Sequence, residues 1–250
     1  MQDPRGNRDF VKAPKPFMTD NDQKRGIPIP PYTNPTVGDL IALPPIAAPN
    51  TQYIDLLDVR RSVRAYDESR PMTGQQLAFL LWSTQGIQFL AGKKQNIPFR
   101  PVPSGGARHP FEAYVAVQNV EGLKPGLYRY VPAEDVGEKQ ASLTFCHEIA
   151  DYKADLTNAL SGQSWAAGAS AVIFYTGVPY RTEWRYAEST YRLILMDAGH
   201  IGQNAQLSAE ALGLGSCCMA AYDQELCDKL LGVDGIDEFT VYAVAVGHKA

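Results

Sequence analysis

Apolar and polar positions change period several times along the chain, and each change predicts an element. TGQQLAFLLWSTQG opens on Thr73-x-x-Gln76, a capping box, and closes at Gly86, which predicts a helix. Before it, NTQYIDLLDVRRSV carries a partial helical stripe in Ile54, Leu57 and Val59, with Asn50 or Thr51 placed to cap. Strands are predicted at 112–118 and 126–131; GLYRYVP alternates apolar and polar positions as a half-buried strand does. CHEIADYKADLTNALSG reads as a short helix, and the continuous β-prone run ASAVIFYTG as a central strand. The longest helical pattern runs over 188–216, with Tyr191, Leu195, Ala198, Ile201, Ala205, Ser208 and Leu212 at three-and-four spacing. A helix of that length suits the spine of a domain or a dimer interface. CCMAAYD is a short strand or loop, DQELCDKLLG a helix and FTVYAVAVG a closing strand. Helices and strands mix without strict alternation. The pattern predicts an α+β fold, with one mostly antiparallel sheet flanked by helices.

Residues 1–50 depart from any period. KAPKP, IPIPPYTNP and ALPPIAAPN are too rich in proline for a helix or a central strand. They predict an extended N-terminal arm, apart from a domain over 51–250. Its apolar residues, among them Phe17, Ile27, Ile29 and Leu43, predict that it wraps a partner subunit.

Composition narrows the function classes. A net charge of −4 and a pI near 5.6 carry no nucleic-acid footprint. No apolar run approaches the roughly 18 residues that span a bilayer, and the first residues lack the apolar core of a signal peptide, so a cytoplasmic protein is expected. Cys146, Cys217, Cys218 and Cys227 show no metal spacing and read as reduced thiols. No metal is expected.

Three short constellations carry candidate chemistry. Arg60-Arg61-Ser62-Val63-Arg64 sets three planar cations and a hydroxyl within five residues, a pattern suited to phosphate. The same residues also fit a solvated basic turn. Pro103-Ser104-Gly105-Gly106-Ala107-Arg108-His109-Pro110 frees the backbone for a flat ligand, or forms a plain turn between elements. Gly213-Leu214-Gly215, followed by SCCMAAYD, leaves small residues at Ala220 and Ala221, with backbone N–H groups open to a ligand; a simple helix end is the alternative.

In order along the chain, RRSVRAY, LLWSTQGI, PSGGARHPFEAYVAV, GLYRYVP, DAGHIGQNAQLSAEALGLGSC and VYAVAVG resemble the nitroreductase family over about residues 52–248. The loop is most similar to that of the SagB-type dehydrogenase branch. The resemblance implies a nitroreductase-like fold, FMN, and a homodimer with its flavin sites at the subunit interface. It implies that Arg60, Arg61, Ser62 and Arg64 hold phosphate and ribityl chain, with Lys249 a possible second phosphate cation. It further implies that Pro103, Ser104, Gly105, Ala107 and Arg108 line the flavin, and that backbone N–H groups at Ala220 or Ala221 sit near the reacting N5. NAD(P)H then needs no dinucleotide fingerprint of its own, because it stacks on the flavin.

The implied activity is hydride transfer from NAD(P)H to a small acceptor, a nitroaromatic or a quinone. Azoline-to-azole oxidation of a peptide is the alternative within the family. Azole-forming members carry a Lys-Tyr pair near Arg185-Tyr186, and arginine cannot give up its proton as a base. Arg185 and Tyr186 are therefore the catalytic candidates and also the point of departure. A non-catalytic flavin-binding protein is the alternative of another class. His200 reads as structural, and His109 as a possible ligand contact.

Overall fold

The computed structural model describes residues 20–133 and 140–250. Strand β1 (Leu40–Ala42) precedes helices α1 (Tyr53–Val59) and α2 (Gly74–Gln85), then a hairpin of β2 (Phe89–Ala91) and β3 (Ile97–Phe99). Strands β4 (Phe111–Val117), β5 (Gly126–Val131) and β6 (Ser142–His147) lead to α3 (Tyr152–Ala159) and β7 (Ala171–Gly177). Helices α4 (Tyr180–Tyr186) and α5 (Thr190–Ala211), strand β8 (Gly215–Met219), helix α6 (Gln224–Leu231) and strand β9 (Phe239–Gly247) complete the chain. Among the described residues the main sheet has seven strands in the order β1-β6-β5-β4-β7-β9-β8, and every pairing is antiparallel.

Two cores lie on the two faces of this sheet. Ala113 and Val115 of β4 with Ile173 and Tyr175 of β7 face α2 and α5, whereas Ala116, Val172 and Phe174 face α3 and α6. All seven residues of β4 and all seven of β7 are buried. A strand covered on both faces has no polar side, so the unbroken run at 171–177 is a central strand, as predicted. The same reason corrects the reading of β5. Its alternation predicts a half-buried strand, yet all six residues are buried. The apparent solvent position, Arg129, is 6% exposed and paired with Glu112.

Helix boundaries follow local chemistry where it is strong. The Thr73–Gln76 capping box forms in full at the start of α2. Asp223 caps α6 by accepting from the Leu226 N–H. Other boundaries shift. Cys146 and His147 end β6 instead of starting α3. Helix α5 stops at Ala211, and Gly215–Ser216 belong to β8. Its buried face includes Ile194, Ala198, Ile201, Ala205 and Ser208, while Tyr191 and Leu195 of the predicted stripe are exposed.

Residues 1–19, including Phe17, lie outside the described residues. From Asp20 onward the arm packs on its own domain. The Gln23 N–H donates to the Trp184 carbonyl at 2.9 Å, and Trp184 Nε1 donates to the Ile27 carbonyl at 2.9 Å. Arg129 Nη2 donates to the Pro35 carbonyl at 2.8 Å, and β1 pairs with β6. A proline-rich segment keeps free carbonyls, and here those carbonyls satisfy buried guanidinium groups of the sheet. No described helix is long and apolar enough to cross a membrane.

Candidate functional site

The arginine cluster follows the C-terminus of α1 and runs beside β8. The Val63 N–H donates to the Ser216 carbonyl at 2.9 Å, and Ser62 forms a parallel bridge with Ser216. Gly215 permits this approach, because a Cβ there would lie 2.7 Å from Val63. Burial pushes the Cys217 thiol up, and Arg64 and the Ser62 hydroxyl beside it pull the other way. Arg64 also lies 5.6 Å from the Trp165 ring centre. Among the described residues neither Arg60 nor Arg64 has a carboxylate partner. Arg61 differs: it turns back onto the carbonyls of Asp58 and Arg60 at 3.0 and 2.7 Å. Lys249 reaches the same edge through a bridge between its backbone and Tyr66, but its ammonium is paired with Glu210 at 2.6 Å.

The glycine loop is built differently. Ser104 Oγ donates to Asp197 Oδ2 at 2.5 Å and accepts from the His109 N–H at 2.9 Å. Burial pushes the Asp197 carboxyl up, and its bonds to Ser104 and the Gly105 N–H oppose that push. His200 Nδ1 lies 3.3 Å from the Pro103 carbonyl. Gly106, Ala107 and His109 all have positive φ, at 60°, 54° and 46°. Non-glycine residues rarely adopt this conformation, and it gathers at sites where the surrounding structure holds the backbone in place. A Cβ on Gly106 would sit 2.5 Å from Tyr186 Oη and 3.1 Å from Arg185, so the loop rests directly on both catalytic candidates.

Behind the loop lies a cavity of about 650 Å³ between the arm, the β2–β3 hairpin and α4. Arg100, Arg108 and Arg185 reach it. Arg108 stacks 5.1 Å from the Trp184 ring centre. Burial pushes the Arg100 guanidinium down to about 10. Burial, with Arg100 and Arg108 alongside, pushes His109 down to about 3 and keeps it neutral. Arg100, Trp184 and Asp197 went unassigned in the sequence, although Arg100 stands only three residues before the loop.

The structure thus groups Arg60, Ser62, Arg64 and Lys249, and separately Ser104, Gly106, Arg108, Arg185 and Tyr186. Lys249 of the first group contacts α5 at Glu210, next to its C-terminus, and Ser104 of the second contacts it at Asp197, in its first half. Thirteen residues of helix separate those anchors, which at 1.5 Å per residue is roughly 20 Å. Ala220 and Ala221 lie exposed just past β8, four and five residues beyond Ser216. No cluster among the described residues has the makeup of a metal site.

The model of the nitroreductase family matches residues 57–248. The chain belongs to the nitroreductase family. The provisionally named nitroreductase MJ1384 of Methanocaldococcus jannaschii is 33% identical over 208 residues, covering 82% of this chain and 96% of that one. The Microcin B17-processing protein McbC of Escherichia coli is 29% identical over 140 residues, 54% of this chain and 49% of McbC. This second likeness agrees with the resemblance of the loop to the SagB-type branch. The crystal structure of a provisionally named nitroreductase from Anabaena variabilis superposes with a TM-score of 0.64 at 24% identity; it covers 96% of this chain, which spans 45% of that one. Family and fold make this nitroreductase-family chain an oxidoreductase.

Proposed function

We propose that this oxidoreductase holds FMN between two copies of the chain and transfers hydride from NAD(P)H to a small organic acceptor, a nitroaromatic or a quinone. One observation carries most of the weight: among the described residues Arg60 and Arg64 lack carboxylate partners, and a conformationally constrained glycine loop is anchored separately, on Asp197 of α5. A pairing of two copies lets the phosphate cations of one meet the loop of the other. Exposed apolar side chains on α1 (Tyr53, Ile54, Leu57, Val59) and α5 (Leu195, Met196) offer surface for such a pairing.

When bound, FMN supplies the hydride-accepting ring, and the protein supplies orientation and hydrogen bonds. Arg60 and Arg64 would grip the phosphate as charge-assisted forks, with Ser62 donating a hydroxyl. Lys249 would contribute only after leaving Glu210, and Arg61 only after leaving the α1 carbonyls. Pro103, Ser104 and Gly105 would face the ring, their backbone held by Asp197. Exposed N–H groups at Ala220 and Ala221 would stand near its reacting edge. The four cysteines are free thiols, in keeping with work in the cytoplasm.

The absorption spectrum of the purified protein, followed by anaerobic addition of NADH or NADPH, tests this. Flavin bands that bleach are expected. A colourless protein that takes up no added FMN contradicts the cofactor, and bands that never bleach favour a non-catalytic flavin protein.

The similarity to McbC favours a second substrate class, an azoline-bearing peptide. Tyr186 lies against the glycine loop, but Arg185 beside it cannot relay a proton. Incubation with a thiazoline peptide should leave its mass unchanged, and a loss of two hydrogens would move the assignment to peptide oxidation.

A further inference from the structure

The cavity behind the glycine loop has one unusual property: three guanidinium groups reach it, and among the described residues no carboxylate lines it. Ile29 of the arm, Ile97 and Phe99 of the hairpin and Trp184 of α4 give it apolar walls, Gln23 and His109 add uncharged polar groups, and the glycine loop forms the side it shares with the proposed flavin. Arg100 is 93% buried and bonds only neutral oxygens: the Gln85 carbonyl, Gln85 Oε1 at 2.9 Å and the Tyr32 carbonyl at 3.2 Å. Its Nε is buried with no partner among the described residues. Arg185 Nε is in the same state. Arg108 spends its Nε on the Gly106 carbonyl at 3.1 Å. Nearby Glu112 is already engaged by Arg129 and Arg181. Buried cationic N–H groups without an acceptor are costly, and charge of one sign gathered against apolar walls repels itself. An arriving anion removes both costs.

We propose that this cavity is a subsite for a flat, largely apolar molecule bearing a carboxylate or phosphate, whose charged end is held by Arg185 and Arg108, with Arg100 behind them. Trp184 and Phe99 provide the faces for its ring. Arg185 thereby gains a role that needs no titration: a permanent planar fork cannot shuttle a proton, but it binds an oxyanion in two places. The identification of that molecule as a redox partner rests on the proposed function. The preference for an anion does not.

The test uses the protein with whatever cofactor it carries. Calorimetric titration compares 4-nitrobenzoate with 4-nitrobenzamide, which keeps the ring and loses the charge. The benzoate is expected to bind at least tenfold more tightly. Arg185→Gln and Arg108→Gln should each erase most of that preference, with benzamide affinity as the control for a general loss of the pocket. Arg185→Lys should restore part of it. Equal affinity of the two ligands for wild type overturns the proposal, and so does a preference that survives in both glutamine variants. The wild-type comparison decides even if a variant folds poorly. Titration with NADPH and NADH separates the two sources of the anion. Tighter NADPH binding that 4-nitrobenzoate competes away assigns the site to the donor's phosphate; equal binding of the two nucleotides assigns it to an acceptor's carboxylate. If the benzoate preference is present but no nicotinamide is oxidised, the proposed function fails and the subsite stands.

Discussion

Arginines in two regions of this molecule are treated in opposite ways. Against the sheet, Arg129 of β5 and Arg181 of α4 are each less than 10% exposed, and both pair with Glu112, at 3.4 and 2.5 Å. Asn34 joins them by donating its N–H to Glu112 and accepting from Arg181, which ties the arm to β4 and α4. Beside β8, Arg60 and Arg64 sit at the protein's edge with no carboxylate partner among the described residues. A buried cation whose counter-ion is built in belongs to the fold, because neither charge can be removed alone. A cation at an edge with no partner costs the fold little and is available to a ligand. The contrast separates arginines that the fold neutralises from those that the proposed function requires.

The largest expected effect lies on the structural side. Glu112→Ala leaves two buried guanidinium groups without their carboxylate and should cost about 3–5 kcal/mol in urea unfolding. It should also expose residues 27–36 to protease, since the arm loses its anchor. A loss below about 1 kcal/mol would show that the sheet arginines are no more structural than those of the cluster.

The next effect concerns the base lodged between arginines. His109 is neutral in the folded protein, with its value pushed to about 3, against about 6.5 when unfolded. Between those values the unfolded chain binds the extra proton. Its contribution to stability is therefore full above about pH 6.5 and is lost as pH falls toward 3. At pH 4.5, two units below the unfolded value, the loss is about 2.7 kcal/mol. His109→Asn keeps a residue that tolerates positive φ and should flatten the stability profile between pH 6.5 and 4.5. An unchanged profile would mean that His109 accepts its proton in place.

Smaller effects belong to the functional side. Lys249→Ala breaks a partly exposed ion pair and should cost at most about 1 kcal/mol. Arg60→Ala and Arg64→Ala should change unfolding of the cofactor-free protein by no more than about 0.5 kcal/mol. Larger losses would make the cluster part of the fold and erase the distinction from Glu112.

Elements whose burial shows in a local pattern were legible in the sequence. Strand β7 is covered on both faces and shows it as a continuous apolar run. Helix α2 announces itself by its capping box. What escaped depends on distant partners. Arg129 looks like a solvent position in an alternating strand until Glu112, 17 residues earlier, neutralises it. Helix α4 reads as polar, yet Arg181 and Trp184 are buried against the arm. Strand β1 is three residues long in a proline-rich stretch and exists only because β6 lies beside it. In the candidate site the arginine cluster and the glycine loop were both visible as motifs. The anchoring of the loop on Asp197, the capture of Lys249 by Glu210 and the cavity reached by Arg100 were not. Arg100 finds its partners 15 and 68 residues away, beyond the range of any local pattern.

The most direct test of the central claim, that Arg60 and Arg64 are phosphate ligands held free by the fold, is fluorescence titration with FMN and with riboflavin, which lacks only the phosphate. A hydrogen bond to a charged group contributes about 1.5–3 kcal/mol, so Arg60→Ala or Arg64→Ala should weaken FMN by about tenfold to a hundredfold and leave riboflavin affinity unchanged. Equal losses for both ligands, or no loss for either, would contradict it.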